Sequence, residues 1–139
     1  MSDIQTTASA YTAEPVRYSP LEIVDLDREA AAVVESYRNQ VLLKVNEHCL
    51  RMGVLAGQYP WHSHPTSDEL FLVLDGHLII ELADGRTLEL GPRQSVTIPA
   101  GVVHRTRGEG RTVNLCFEAV AAETIFVPAP QAAGAERVG

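Results

Sequence analysis

After Gln40 the chain consists of short apolar runs separated by tight turns, and this pattern limits the fold more than any other feature. The turn at Asp75-Gly76 lies between runs 69–74 and 77–82, so it predicts a β-hairpin. A second hairpin is predicted around residues 108–110. No stretch between the runs is long enough for crossover helices. The pattern therefore predicts an all-β antiparallel sandwich or barrel.

Before Gln40 one segment has helical periodicity. In residues 19–40, Ala30, Val33, Val34 and Tyr37 recur at spacings of three and four, which places them on one apolar face. Asp27 is a candidate cap for the start of this helix. We therefore expect one short N-terminal helix ahead of the strands.

The ends of the chain differ in composition from its centre. Residues 1–18 are small and polar, which predicts a flexible arm, and residues 128–139 are rich in Pro, Ala and Gly, which predicts a flexible tail. The length of 139 residues fits one domain, which we place at residues 19–127.

Charge and hydropathy exclude several classes of partner. The formal net charge is -7, whereas nucleic-acid binding requires a basic surface. No apolar run approaches the roughly 18 residues of a membrane helix, and the N-terminus lacks the pattern of a signal peptide. We expect no nucleic-acid partner, no membrane association and a cytoplasmic location. In that reducing compartment Cys49 and Cys116 are expected to be free thiols.

Three potential metal ligands, His62, His64 and Glu69, crowd into eight residues of the stretch GQYPWHSHPTSDELFLVLDG. On a strand His62 and His64 point the same way, so both can reach one ion. Glu69 begins the next run, and an antiparallel return brings it beside them. His104 follows a Pro-x-Gly turn and offers a fourth ligand. Imidazole suits Fe, Ni, Cu and Zn and, less strongly, Mn, although solvated turn histidines are the simpler reading of His-x-His alone.

With its spacing included, this set resembles the motifs of the cupin superfamily of small β-barrels. The first cupin motif matches at Gly57, His62, His64, Glu69 and Gly76, with a first gap of four residues where five are usual. The second motif matches at Pro99, Gly101 and His104. Two positions depart from it, since Arg93 replaces a glycine and Gly108 replaces an asparagine.

The resemblance implies a jelly-roll β-barrel with a metal near one mouth. It implies His62, His64, Glu69 and His104 as the ligands of one divalent transition-metal ion per chain, which we expect to be Fe, Mn, Ni or Zn. Many relatives are dimers, and a homodimer is expected here too. The run LFLVL, apolar on both faces, and the outward parity of Tyr59 and Trp61 support a second subunit.

Strand parity suggests further residues for the wall of a ligand pocket. On the strand 111–118 the choice lies between one set, Asn114, Cys116 and Glu118, and the alternating set Val113, Leu115 and Phe117. The candidates for binding a small molecule are Gln58, Phe71, Thr106, Asn114, Cys116 and His48.

Three functions are compatible with these features. The first is a metal-dependent enzyme, dioxygenase-like or an isomerase or lyase, acting on a small organic molecule inside the barrel. The second is a non-catalytic module that binds or senses a small molecule. The third, a metal-independent isomerase, is disfavoured because such an enzyme does not require four metal ligands.

Overall fold

The computed structural model describes residues 3–131 and shows an antiparallel β-barrel preceded by two short helices. The elements are α1 (Ala8–Thr12), α2 (Leu26–Ala32), β1 (Tyr37–Val45), β2 (His48–Gln58), β3 (His62–Ser63), β4 (Glu69–Asp75), β5 (Leu78–Leu82), β6 (Thr87–Leu90), β7 (Ser95–Ile98), β8 (His104–Ala119) and β9 (Ile125–Phe126). One path of neighbouring strands runs β1-β2-β8-β3-β9, while β4 pairs with β7 and β8, and β5 pairs with β6 and β8. The predicted all-β fold with a short N-terminal helix is confirmed.

Strand β8 is the central strand of the barrel. Because it runs without a break through residues 108–110, the hairpin predicted there is wrong. Its first part pairs with β5, and its later part lies between β2 and β4. The chain bends there without reversing. Gly108 leaves room for the neighbouring strand, because a Cβ on it would lie 2.7 Å from the Leu55 carbonyl oxygen. Gly110 has a φ of +72°, a conformation that favours glycine. The register with β2 shifts at the same place, between Leu55 and Gly57.

The predicted hairpin at Asp75-Gly76 is also wrong. The turn is present, with Gly76 at a φ of +85°, but β4 and β5 pair with different parts of β8 rather than with each other. A two-residue turn signal identifies a sharp change of direction and does not identify the pairing partners. Between β5 and β6 the chain does form a hairpin, with Leu78 opposite Leu90.

Two apolar layers cover the faces of the sheets. The inner layer fills the barrel with residues such as Leu55, Phe71 and Val73. The outer layer contains Met52 and Val54, against which the N-terminal segment packs with Tyr18, Val24, Leu26, Ala30 and Val33. The run LFLVL is therefore apolar on both parities because its own chain contributes part of the outer cover.

The helix of the N-terminal segment differs from its prediction in two respects. The side chain of Asp25, rather than that of Asp27, caps α2 by accepting from the amide of Arg28 at 3.0 Å. The helix ends at Ala32, and Tyr37 already belongs to β1, where pairing with β2 replaces the helical continuation. Over its described residues the arm contacts the barrel, since the Ile4 amide donates to the Gln58 carbonyl at 2.7 Å and Tyr11 is buried, and its flexibility stays a prediction.

At the other end, residues 128–131 form no helix or strand, and the predicted flexible tail otherwise lies outside the described residues. The limits of the domain at residues 19 and 127 stay a prediction. Within residues 3–131 no helix has the length and apolar character needed to cross a membrane. Cys49 and Cys116 are free and buried, as expected.

Candidate metal centre

The four predicted ligands come together on the inner wall of the barrel. His62 on β3 lies directly opposite His104, the first residue of β8. Glu69 begins β4, and His64 follows β3, where its carbonyl accepts from the Gly101 amide at 2.9 Å. One ligand atom from each lies within 4.8 Å of the others, and all four residues are buried. Strand alternation and antiparallel return produce this meeting, as the spacing predicted.

The three imidazole rings are held in one orientation by backbone carbonyls. The Nδ1 atom lies 2.8 Å from the Pro60 oxygen in His62, 3.0 Å from the Glu123 oxygen in His64, and 2.9 Å from the Val102 oxygen in His104. A carbonyl oxygen only accepts, so each Nδ1 carries the hydrogen and donates it. Each Nε2 lone pair is then left for the interior, the arrangement typical of histidine metal ligands.

Several inward atoms of the cluster have no hydrogen-bond partner among the described residues. They are Nε2 of His64, Nε2 of His104 and Oε1 of Glu69, all fully buried. The Glu69 oxygen lies 3.2 Å from Nε2 of His64 and 3.4 Å from Nε2 of His104. Two lone pairs facing a carboxylate repel it unless a cation or a proton lies between them. The donor set therefore fits a divalent ion that accepts imidazole and carboxylate.

In the metal-free protein, a proton can take the place of the cation between Glu69 and a neighbouring imidazole. Burial alone would lower the pKa of His64, but the hydrogen bond and charge of Glu69 outweigh it and raise the pKa to about 9. Burial and the neighbouring His104 lower the pKa of His62 to about 3. Burial opposes ionisation of Glu69, yet His104 and His64 hold its pKa well below the usual range. In the metal-free centre the contact between the two groups thus favours a protonated His64 beside an ionised Glu69.

A small cavity of about 40 Å³ adjoins the cluster. Four of the predicted pocket residues, Phe71, Thr106, Asn114 and Cys116, line it. The set Asn114, Cys116 and Glu118 therefore faces inward, and the alternative set of β8 faces outward. Further lining residues are Tyr11, Tyr37, Asn39, Gly53, Leu55 and Tyr59.

Two predicted pocket residues, Gln58 and His48, are not in this cavity. The Gln58 side chain donates to Asp3 at 3.1 Å, and His48 is exposed and stacks on Phe117 with the ring centres 5.5 Å apart. Strand β2 turns the residues that alternate with His48 toward the cavity. Its register with β8 turns Arg51 and Gly53 inward, where Gly53 lies against Asn114.

Tyr59 also differs from its prediction. It is buried, and its ring meets His62 edge-on with the centres 4.9 Å apart. The strand ends at Gln58, so alternation no longer applies across Pro60. Trp61 does lie away from the cluster, with the Arg105 guanidinium 5.0 Å from its ring centre.

Sequence reasoning missed a second buried polar group beside the cluster. Tyr11 donates its hydroxyl to Glu118, and the Arg51 guanidinium lies 3.8 Å from the centre of the Tyr11 ring. The Tyr11 ring also stacks on His64 with the centres 5.5 Å apart. Tyr11 stands in a segment of small and polar residues without periodicity, and its aromatic side chain is its only sequence signal.

Both departures from the cupin motifs have a structural reason. Arg93 has a φ of +68°, so it adopts the left-handed conformation for which glycine is usual. Gly108 packs so closely against the Leu55 carbonyl that an asparagine would clash through its Cβ. The turn geometry is kept at Arg93, and the chain bends at Gly108.

A barrel of antiparallel strands enclosing three histidines and one glutamate is the architecture of cupins. The family model described as Cupin domain matches residues 51–118. The uncharacterized protein YdbB of Bacillus subtilis is 49% identical over 98 residues, spanning 70% of this chain and 87% of that protein. The chain belongs to the cupin family.

Solved structures agree on the fold. A cupin-2 domain containing protein from Shewanella frigidimarina has a TM-score of 0.66 at 22% identity, covering 70% of this chain and 94% of its own. A protein with a double-stranded beta-helix domain from Klebsiella pneumoniae has a TM-score of 0.65 at 17% identity, and the match covers 76% of this chain and 96% of that protein.

Proposed function

We propose that this cupin is a metal-dependent enzyme acting on a small organic molecule inside its barrel. One divalent ion per chain, Fe, Mn, Ni or Zn, is bound by His62, His64, Glu69 and His104. The observation that carries the proposal is the set of unpartnered inward atoms, whose histidine rings are already oriented by backbone carbonyls. Three neutral imidazoles and one carboxylate leave a bound dication with a net charge of about +1.

The cavity wall suits a small, oxygen-bearing substrate. Leu55, Phe71 and Tyr59 supply an apolar lining beside the cluster, while Thr106 and Asn114 supply hydrogen-bonding atoms. A bound ion supplies Lewis-acid activation of a substrate oxygen or of dioxygen. Among reaction types we favour oxygen-dependent chemistry with Fe(II), because the proposed ligands leave coordination positions of a six-coordinate ion for other molecules.

The test begins with the metal content of protein purified without chelators or a histidine tag. The chain is then loaded anaerobically with Fe(II), Mn(II), Ni(II) or Zn(II) and offered a panel of small metabolites. Oxygen consumption and mass spectrometry measure turnover, with His62→Ala as the inactive control and His77→Ala as the matched control. Stoichiometric metal with oxygen-dependent product formation supports the proposal. A wild-type chain that retains no metal under any loading contradicts it.

A non-catalytic module that binds or senses a small molecule is the second candidate. A free volume of about 40 Å³ beside the cluster is too small for a substrate and dioxygen together, which favours the binding of one small ligand without turnover. Tight binding of a metabolite without oxygen uptake or product under all four metals would favour this candidate over the enzyme.

A further inference from the structure

The side chain of Tyr11 occupies a slot that is built like a ligand site. The Arg51 guanidinium lies 3.8 Å from the centre of its ring, and the ring stacks on the His64 imidazole. Its hydroxyl donates to Glu118. The slot thus provides a cation and an imidazole that contact a ring, and a carboxylate acceptor for a hydroxyl.

The Tyr11 ring also divides the space inside the barrel mouth. On one side lies the cavity of about 40 Å³ at the His/Glu cluster, and on the other lies a cavity of about 100 Å³. Both are lined by Tyr11, Tyr37 and Asn39, so withdrawal of the Tyr11 side chain joins them. In the present arrangement the inner cavity has room for a few waters but not for an aromatic ring.

The polar atoms of the slot are only partly used by Tyr11. Nε of Arg51 and Oε2 of Glu118 are buried and lack hydrogen-bond partners among the described residues. Nη2 of Arg51 donates to the Tyr11 carbonyl at 3.1 Å, and Nη1 donates to Asn39 at 2.8 Å. A ligand hydroxyl can donate to Glu118 and accept from Arg51. A ligand carboxylate would meet the charges of Glu118 and Glu69, so the slot selects against it.

The element that carries Tyr11 is weakly held. Helix α1 has five residues, too few to be stable on its own. Tyr11 is its one buried residue, so the side chain in the slot accounts for most of its packing. Opening of such a segment costs much less than unfolding of the barrel.

We propose that Tyr11 is a built-in occupant of the substrate site, and that a small phenolic compound replaces it when α1 withdraws. The ring of that compound lies between Arg51 and His64, and its hydroxyl donates to Glu118. This inference rests on the proposed function for any reaction that follows, but the binding step requires no metal.

The probe is 4-methylphenol, which reproduces the tyrosine side chain, compared with toluene and 4-methylbenzoate. Calorimetry on the full-length Tyr11→Ala variant should show 4-methylphenol binding at least about tenfold more tightly than toluene, because the hydroxyl bonds a charged group. Wild-type affinity should be weaker than that of the variant, since Tyr11 competes for the slot. Tyr18→Phe, which alters a tyrosine outside the slot that bonds Glu29, should behave as wild type.

Hydrogen exchange of the wild-type chain tests displacement directly, even if the variant fails to fold. Saturating 4-methylphenol should speed exchange at the amides of Tyr11 and Ala13, whose bonds to Thr7 and Ser9 belong to α1. Toluene at the same concentration should not. Equal affinity for 4-methylphenol and toluene, tighter binding of 4-methylbenzoate, or unchanged exchange in α1 at saturation would each overturn the proposal.

Metal analysis of the same samples separates this inference from the proposed function. A chain that holds metal but does not bind the phenol overturns the phenolic site and leaves the metal centre intact. A chain that binds the phenol but holds no metal overturns the metal centre and leaves the phenolic site intact.

Discussion

His62 on β3 is the direct register partner of His104 on β8, so two of the four proposed ligands face each other across one strand pair. Their ring centres are 4.4 Å apart. Strand β3 consists of only two residues, and Ser63 pairs with β9 on the other side. The metal centre therefore depends on a very short pairing that is fixed at both edges.

Metal content is expected to depend on His62 and much less on histidines outside the cluster. His62→Ala should weaken metal affinity by well over about tenfold, because changing even the groups that support a ligand costs 10–100-fold. His77→Ala is the matched control, since His77 lies outside the cluster and contacts Glu89. Elemental analysis after dialysis measures both. Stoichiometric metal in a His62→Ala/His64→Ala double variant would refute the assignment.

Metal uptake is expected to release a proton at neutral pH. The pKa of His64 is raised to about 9, whereas His62, at about 3, is already neutral. A metal must therefore displace the proton of His64, and its affinity should rise by about tenfold per pH unit up to about pH 9. Calorimetry at pH 7.5 in two buffers of different ionisation enthalpy should show about one proton released per ion. Release of none would contradict the His64–Glu69 contact.

The same contact should make the metal-free chain lose stability on the alkaline side. The folded-state pKa of His64 is raised above its ordinary value of 6.5. Its contribution is therefore complete below pH 6.5 and is lost as the pH rises through about 9. Thermal unfolding of metal-free protein from pH 6 to pH 9.5, with His64→Ala as control, measures this. A wild-type Tm that falls no more steeply than that of the variant would count against it.

Gly108→Ala should destabilise the fold by about 1–3 kcal/mol, because its Cβ would press on the backbone of β2. The nearest atom would be the Leu55 carbonyl oxygen at 2.7 Å. Gly91→Ala is the control, since its Cβ meets only the Gln94 side chain at 3.7 Å. Urea unfolding should place the control within about 0.5 kcal/mol of wild type. Equal effects of the two substitutions would show that the bend of β8 tolerates a side chain.

We further propose that the chain forms a homodimer. Phe117 and Val120 are each 39% exposed, and they lie on the outer side of the barrel wall. A stable interface should bury more than about 1,000 Å² in total. Light scattering at micromolar concentration should give about twice the chain mass of 15.1 kDa. A mass near that of one chain would exclude a stable dimer, and Phe117→Ser should shift the equilibrium toward the monomer.

The sequence predicted the ligand cluster because local rules determine it. His62, His64 and Glu69 follow strand alternation around one short loop, and His104 follows a Pro-x-Gly turn. The pairing of strands was less accessible, because Asp75-Gly76 signals a turn and leaves the partner of each strand open. Likewise, the inward face of β2 follows from its register with β8, which a single sequence does not contain.

The slot around Tyr11 could not be predicted from the sequence for a further reason. Tyr11, Arg51 and Glu118 come from an arm and two separate strands, and no spacing rule links them. Each alone is explained by an ordinary role, since tyrosines, arginines and glutamates are common on strands and arms. Their function as a group appears only when the arm packs into the barrel.

The central position of β8 also governs the order in which the molecule assembles during synthesis. Residues 104–119 contact β2, β3, β4 and β5, all of which leave the ribosome earlier. Until β8 emerges those strands lack their main partner, and His62, His64 and Glu69 have no fourth ligand. We therefore expect the barrel to close late and slowly, as is usual for folds dominated by long-range pairing. The nascent chain would then be unable to capture an ion tightly until nearly the whole domain has been made.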